Sequence, residues 1–143
     1  MSVIIQYYSD GETKEYEGKV LNGKRHGHKG VLYDRNKREI FRGAFKEGKK
    51  HGFGTETEFN ELENKHSIYT GRYVQDVKEG KGDYIYEDYI RYEGEFKGDN
   101  FHGPGTLYDK DGNVWRRGQF EEGILVRGEE TRPKGVKLTL FYF

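Results

Sequence analysis

The 143-residue chain has no cysteine, two prolines, one methionine, one tryptophan and serine only at positions 2, 9 and 67. Without cysteine there are no disulfides, thiolate metal sites or cysteine nucleophiles, and the composition fits a reducing compartment. None of the serines stands in a Gly-x-Ser-x-Gly setting, so a nucleophile elbow is absent. Glycine-rich stretches such as Gly23-Lys24-Arg25-His26-Gly27 lack the Gly-Lys-Ser/Thr ending of a phosphate-binding loop. Hydrophobic residues make up only 32%, and no window approaches the ~18 apolar residues of a membrane-spanning helix. The segment Met1 to Gln6 has no basic n-region and too short an apolar run for a signal peptide. These absences give the expectation of a soluble, intracellular, non-enzymatic protein without cofactor.

What the chain does have is aromatics, glycine and charge. Twelve Tyr, nine Phe and one Trp reach 15%, enough for large rings to form a thin core. Glycine, at 21 residues, is about twice its usual share of ~7%. Net charge is zero, but residues 1 to 55 hold 12 Lys/Arg and 7 Asp/Glu, while residues 56 to 143 hold 13 and 18. A charge-balanced chain with no nucleic-acid-binding module is not expected to bind nucleic acid.

One pattern recurs down most of the chain: aromatic-x-Gly-x-aromatic or Val, followed by a glycine-containing turn that often ends in His-Gly. Its central glycines, at 18, 43, 71, 94 and 118, are 25, 28, 23 and 24 residues apart. A period in the twenties suits one β-hairpin per repeat. In Tyr16-Gly18-Val20, Phe41-Gly43-Phe45, Tyr69-Gly71-Tyr73 and Tyr92-Gly94-Phe96, apolar and polar positions alternate as in a half-buried strand. The missing side chain at the central glycine lets a ring lie over the backbone. The second strand of each unit is expected to begin at a Gly-x-Gly or near variant, such as Gly52-Phe53-Gly54 or Gly103-Pro104-Gly105, with these glycines supplying positive φ for the hairpin turn. The expected fold is all-β: an elongated, single-layer antiparallel meander of tandem hairpins. The array covers residues 1 to 130, with a partial unit at 3 to 11, units starting near 16, 41, 69 and 92, and a degenerate one near 116. Residues 131 to 143 are expected to form a C-terminal capping or docking strand, and its apolar part, Val136 to Phe143, is a candidate for self-association.

The run Tyr-x-Gly-x-Phe-x-x-Gly-x-x-His-Gly-x-Gly resembles the MORN repeat, named for membrane occupation and recognition nexus. Phe41 to Gly54 and Tyr92 to Gly105 match best, the second departing at Asp99. Tyr16 to Gly30 carries one extra residue, and the Tyr69 unit departs at Asp76 and Glu79. The resemblance implies a β-hairpin array serving as a scaffold in cytoskeletal or ciliary assemblies, or binding phospholipid headgroups. Catalytic domains follow such arrays in some families, and none is expected within these 143 residues.

His26, His51 and His102 occupy equivalent positions two strands apart, ~10 Å, so they cannot share one metal ion. A structural role is expected, each imidazole hydrogen-bonding or stacking near its own turn. The leading expectation is a partner protein, presenting a helix or strand, that docks on an exposed aromatic face through Tyr16, Phe41, Phe45, Tyr69, Tyr73, Tyr92 and Phe96; the alternative is that these residues form the core. A second expectation is an anionic lipid surface met by the basic turns Lys24, Arg25, Lys49 and Lys50. Self-association, through residues 136 to 143 or between the oppositely charged halves, is a third.

Overall fold

The computed structural model describes residues 1 to 87 and 90 to 131, so the expected strand Val136 to Phe143 lies outside the described residues. Eleven strands form one antiparallel sheet: β1 (Val3–Tyr7), β2 (Lys14–Leu21), β3 (Lys24–Tyr33), β4 (Glu39–Lys46), β5 (Lys49–Asn60), β6 (Lys65–Val74), β7 (Val77–Tyr86), β8 (Ile90–Lys97), β9 (Asn100–Tyr108), β10 (Val114–Glu121) and β11 (Ile124–Glu130). Their order in the sheet is their order in the chain, which is the expected meander. Each strand therefore packs on its sequence neighbours, as in a repeat array.

The turns lie elsewhere than the Gly-x-Gly expectation put them. They fall at Asn22-Gly23, Glu47-Gly48, Gln75-Asp76, Gly98-Asp99 and Glu122-Gly123, with φ pairs of 52 and 76, 51 and 85, 48 and 71, 56 and 70, and 48 and 84 degrees. Two consecutive residues with positive φ are the signature of a type I′ turn, whose twist suits a two-residue hairpin. The His-Gly glycines Gly27, Gly52 and Gly103 also have positive φ, but they sit inside the second strands. There they absorb a bulge. Gly43 pairs with Gly54 and Phe45 with Lys50, so two steps on β4 face four on β5. The segment Glu56 to Lys65, which interrupts the repeat spacing, lengthens two strands: Thr57, Glu58, Phe59 and Asn60 pair with Ile68, Ser67, His66 and Lys65.

A row of paired glycines crosses the sheet. Gly30 pairs with Gly43, Gly43 with Gly54, Gly54 with Gly71, Gly71 with Gly82, Gly82 with Gly94, Gly94 with Gly105, Gly105 with Gly118 and Gly118 with Gly128. The aromatic rings lie on this row. A Cβ at Gly54 would sit 2.5 Å from two ring carbons of Phe41, and one at Gly71 2.5 Å from the Tyr69 hydroxyl. Three of the tyrosines then reach past the glycine: Tyr16, Tyr69 and Tyr92 donate hydrogen bonds of 2.6, 2.7 and 2.7 Å to the carbonyls of Lys19, Arg72 and Glu95. Ring, glycine and carbonyl thus form one local device, repeated.

Candidate functional site

The rings join into a ladder. Tyr16, Phe45, Phe41, Tyr73, Tyr69, Phe96, Tyr92 and Phe120 meet in that order, edge to face, with centroids 5.0 to 5.5 Å apart. This is the favourable geometry for aromatic quadrupoles, worth about 0.5–1.5 kcal/mol per pair beyond burial. The structure thus brings together all seven aromatics expected to anchor a partner. It does not leave them exposed. Tyr16, Phe41, Phe45, Tyr69, Tyr73, Tyr92 and Phe96 are the core of the protein, none more than 4% accessible.

The sheet is a single layer, so something must cover the ladder, and it is one position of the repeat. The residues that face Val20, Phe45, Tyr73, Phe96 and Phe120 across the hairpins are Arg25, Lys50, Lys78, Phe101 and Leu125. Arg25 lies 4.8 Å from the Tyr16 centroid, Lys50 4.8 Å from Phe41, and Lys78 5.3 Å from Tyr69. Phe101 stacks on Tyr92 at 3.8 Å. The cover is cationic over the first three units and apolar over the last two. Long basic side chains lay their methylene stems over apolar surface while the charge stays near the rings and water.

This divides the four expected basic-turn residues. Lys24 and Lys49 are exposed on the hairpin edge. Arg25 and Lys50 are turned onto the rings and already engaged. Arg25 donates to Gln6 at 3.1 Å and lies 3.9 Å from Glu15. Lys50 is paired with Glu56, whose other oxygen lies 3.7 Å from Lys78 and accepts a 2.8 Å hydrogen bond from the Tyr73 hydroxyl. Burial works against the charge of Glu56, but Lys50, Tyr73 and Lys78 outweigh it and hold the carboxyl below its ordinary pKa. Burial, reinforced by Glu56, pushes the Tyr73 hydroxyl far up.

The departures at Asp76 and Asp99 have a structural account. Both stand at left-handed turn positions, with φ of 71 and 70 degrees. Asp76 accepts the Lys50 amide at 2.8 Å and donates its own amide to the Lys50 carbonyl; Asp99 does the same with Lys78, accepting at 2.9 Å. Each carboxylate fastens its hairpin to the preceding one. Glu79 likewise accepts the Gly98 amide at 3.0 Å. The expectation that each histidine bonds at its own turn is corrected at His51, whose Nδ1 accepts the Gln75 amide of the next hairpin at 3.3 Å.

The opposite face carries the more open surface. A trough of about 720 Å³ runs over Gly71, Gly82, Gly94 and Gly105, bounded by Thr70, Asp83, Glu93 and Thr106 on one side and by Phe53, Lys81, Glu95 and Pro104 on the other. Phe53, at one end, is 64% exposed, with the Arg72 guanidinium 5.2 Å from its centroid. Arg91 spans Asp83 and Glu93 at 2.7 and 3.2 Å. Sequence reasoning passed over Phe53, yet its signal was present: it lies between Gly52 and Gly54, one residue out of phase with the buried aromatics, and so on the other face. Glu56 and Lys78 were also missed, because in the sequence they read as two more surface charges.

A family model described as the MORN repeat matches residues 16–28, 41–57, 69–91 and 92–114. The chain is also 33% identical over 103 residues to alsin of Rattus norvegicus and to alsin of Homo sapiens, an alignment covering 71% of this chain and 6% of either relative. It thus spans only a small part of the length of these relatives. The repeated ring-over-glycine device, the single meander and the four matched segments agree: the chain belongs to the MORN-repeat family.

Proposed function

We propose that this chain is a protein-binding scaffold unit without catalytic activity, and that its partner lies in the glycine-floored trough with Phe53 as anchor. The observation that carries this is the exposure of Phe53, 64%, beside a trough of about 720 Å³, while every ring of the ladder is covered. An exposed large aromatic beside a concave surface is the kind of apolar group that a partner can bury. The glycine floor lets a partner's helix or strand approach the backbone. By analogy with its family, the assembly served is cytoskeletal or ciliary. The test is a comparison of natively tagged Phe53→Ala with the unaltered chain by crosslinking and mass spectrometry. A partner crosslinked at Lys81 and lost in the variant is the expected result; a partner recovered equally by both removes the trough from the reading.

Lys24 and Lys49 support a second reading, contact with an anionic lipid surface. Both are exposed on one edge and, among the described residues, neither is in an ion pair. That reading expects salt-sensitive sedimentation with phosphatidylserine vesicles, abolished in Lys24→Glu/Lys49→Glu and little changed in Arg25→Gln. Binding that survives the double charge reversal excludes it.

A further inference from the structure

The two ends of the sheet are chemically different. At the far end, β11 keeps the row's glycine, Gly128, and carries Arg127, Glu129 and Glu130. At the near end, β1 puts Ile4 against Gly18, so the first side chain other than hydrogen in the row stands there. A Cβ at the equivalent Gly30 or Gly54 would fall 2.5 Å from a ring carbon of Phe45 or Phe41. Ile4 therefore occupies the space that the ring of another aromatic-x-Gly strand would need, and β1 cannot be extended by the family's own repeat.

Among the described residues the strand is nevertheless an open edge. Val3-Ile4-Ile5-Gln6-Tyr7 has no charge and no proline, and Val3, Ile4, Ile5 and Tyr7 are 65, 37, 40 and 48% exposed. Natural sheets usually protect such an edge with lysine, proline or a covering segment. We propose that β1 pairs antiparallel with β1 of a second copy of this chain about a two-fold axis at Ile5. That register places Val3 against the second copy's Tyr7, Ile5 against its own equivalent and Ile4 against Gln6, all on matching faces. A second copy is the favoured occupant because this strand is uncharged and self-complementary, whereas β11 would bring Arg127 and Glu129 against apolar side chains. Pairing of one five-residue edge buries less than the ~1,000 Å² of a stable interface, so the dimer is weak and concentration-dependent.

The absence of cysteine gives a direct test. Paired strands bring facing Cα atoms to about 4.5–5.5 Å, within disulfide range. In the full chain, Ile5→Cys is expected to form a disulfide-linked dimer on mild oxidation, whereas Ile85→Cys, on an interior strand, is not. Sedimentation velocity of the unaltered chain should show a mass rising toward twice the monomer with concentration, and Ile5→Lys and Val3→Lys should remain monomeric with unchanged circular dichroism. A monomer at every concentration, or dimers that persist in both lysine variants while Ile5→Cys fails to crosslink, would overturn the proposal.

Discussion

Tyr73 donates its hydroxyl to Glu56 at 2.8 Å across 17 residues of sequence, and this bond places a carboxylate among the rings of the sheet. Glu56 faces Phe41 and Tyr69 in the ladder register, a position held by Leu32, Tyr84 and Leu107 in other units. The acid is tolerated because Lys50 and Lys78 cover the neighbouring rings and need a counter-charge. The polar cover and the half-buried acid are one arrangement.

Its pH dependence follows from sign. The folded-state pKa of Glu56 is depressed, since its cationic and hydroxyl partners outweigh the burial that opposes its charge. The stability it contributes is therefore present above the unfolded carboxylate value and is lost as pH falls through the folded one. Glu56→Gln should lower stability at neutral pH by about 1–3 kcal/mol, because Lys50 and Lys78 lose their shared partner. Denaturant titrations at neutral and acidic pH should show the difference from the unaltered chain shrinking on acidification.

At alkaline pH the tyrosines govern. Burial pushes Tyr92 up to about 12, and Tyr69 and Tyr73 further still. For these groups the folded pKa exceeds the unfolded one, so their contribution is complete below the ordinary tyrosine value near 10 and is lost as pH climbs toward the folded values. Tyrosinate absorbance should rise first for exposed tyrosines, then in a cooperative step that coincides with loss of sheet signal in circular dichroism.

Two glycines test the ring-over-glycine device. A Cβ at Gly43 would fall 2.5 Å from backbone atoms of both Gly54 and Phe53, which cannot move without shifting a strand, whereas one at Gly112 meets nothing within 4 Å. Gly43→Ala should cost about 1–3 kcal/mol or more through overpacking. Gly112→Ala should cost only the strain of its φ of 83 degrees, about 1–2 kcal/mol. Chemical denaturation that ranks the two the other way would contradict the packing account.

Asp76 separates backbone strain from side-chain fastening. Asp76→Gly loses the 2.8 Å bond to the Lys50 amide but relieves a φ of 71 degrees, so the two effects should nearly cancel. Asp76→Ala loses the bond without relieving the strain, for a cost of about 0.5–1.5 kcal/mol. An Asp76→Ala variant as stable as the unaltered chain would show that the carboxylate contributes nothing to the joint between hairpins.

The repeat, the strands and the glycines were legible in the sequence because period-2 alternation around a fixed glycine has one simple structural solution. The hairpin turns were not. Asn22-Gly23 is an evident type I′ pair, but Gln75-Asp76 and Gly98-Asp99 disguise it, and the eye moves to the conspicuous His-Gly, which only bulges a strand. What covers the ladder was also hidden. A binary pattern counts Arg25, Lys50 and Lys78 as polar and assigns them to solvent, while their stems cover the rings. An aromatic face that reads as open was closed by residues that read as charged.

The single-layer meander also fixes how the molecule bears force. Its hydrogen bonds point along the direction in which units accumulate, so a pull applied from β1 toward β11 loads the ladders in series and unzips them one at a time. The edge-to-face rings cross the same seams, Phe45 to Tyr16, Phe41 to Tyr73, Phe96 to Tyr69 and Phe120 to Tyr92, and share that load between neighbouring hairpins. As a mechanical element the sheet should therefore yield in steps of about one repeat and recover the same way, lengthening under tension without losing all its structure at once.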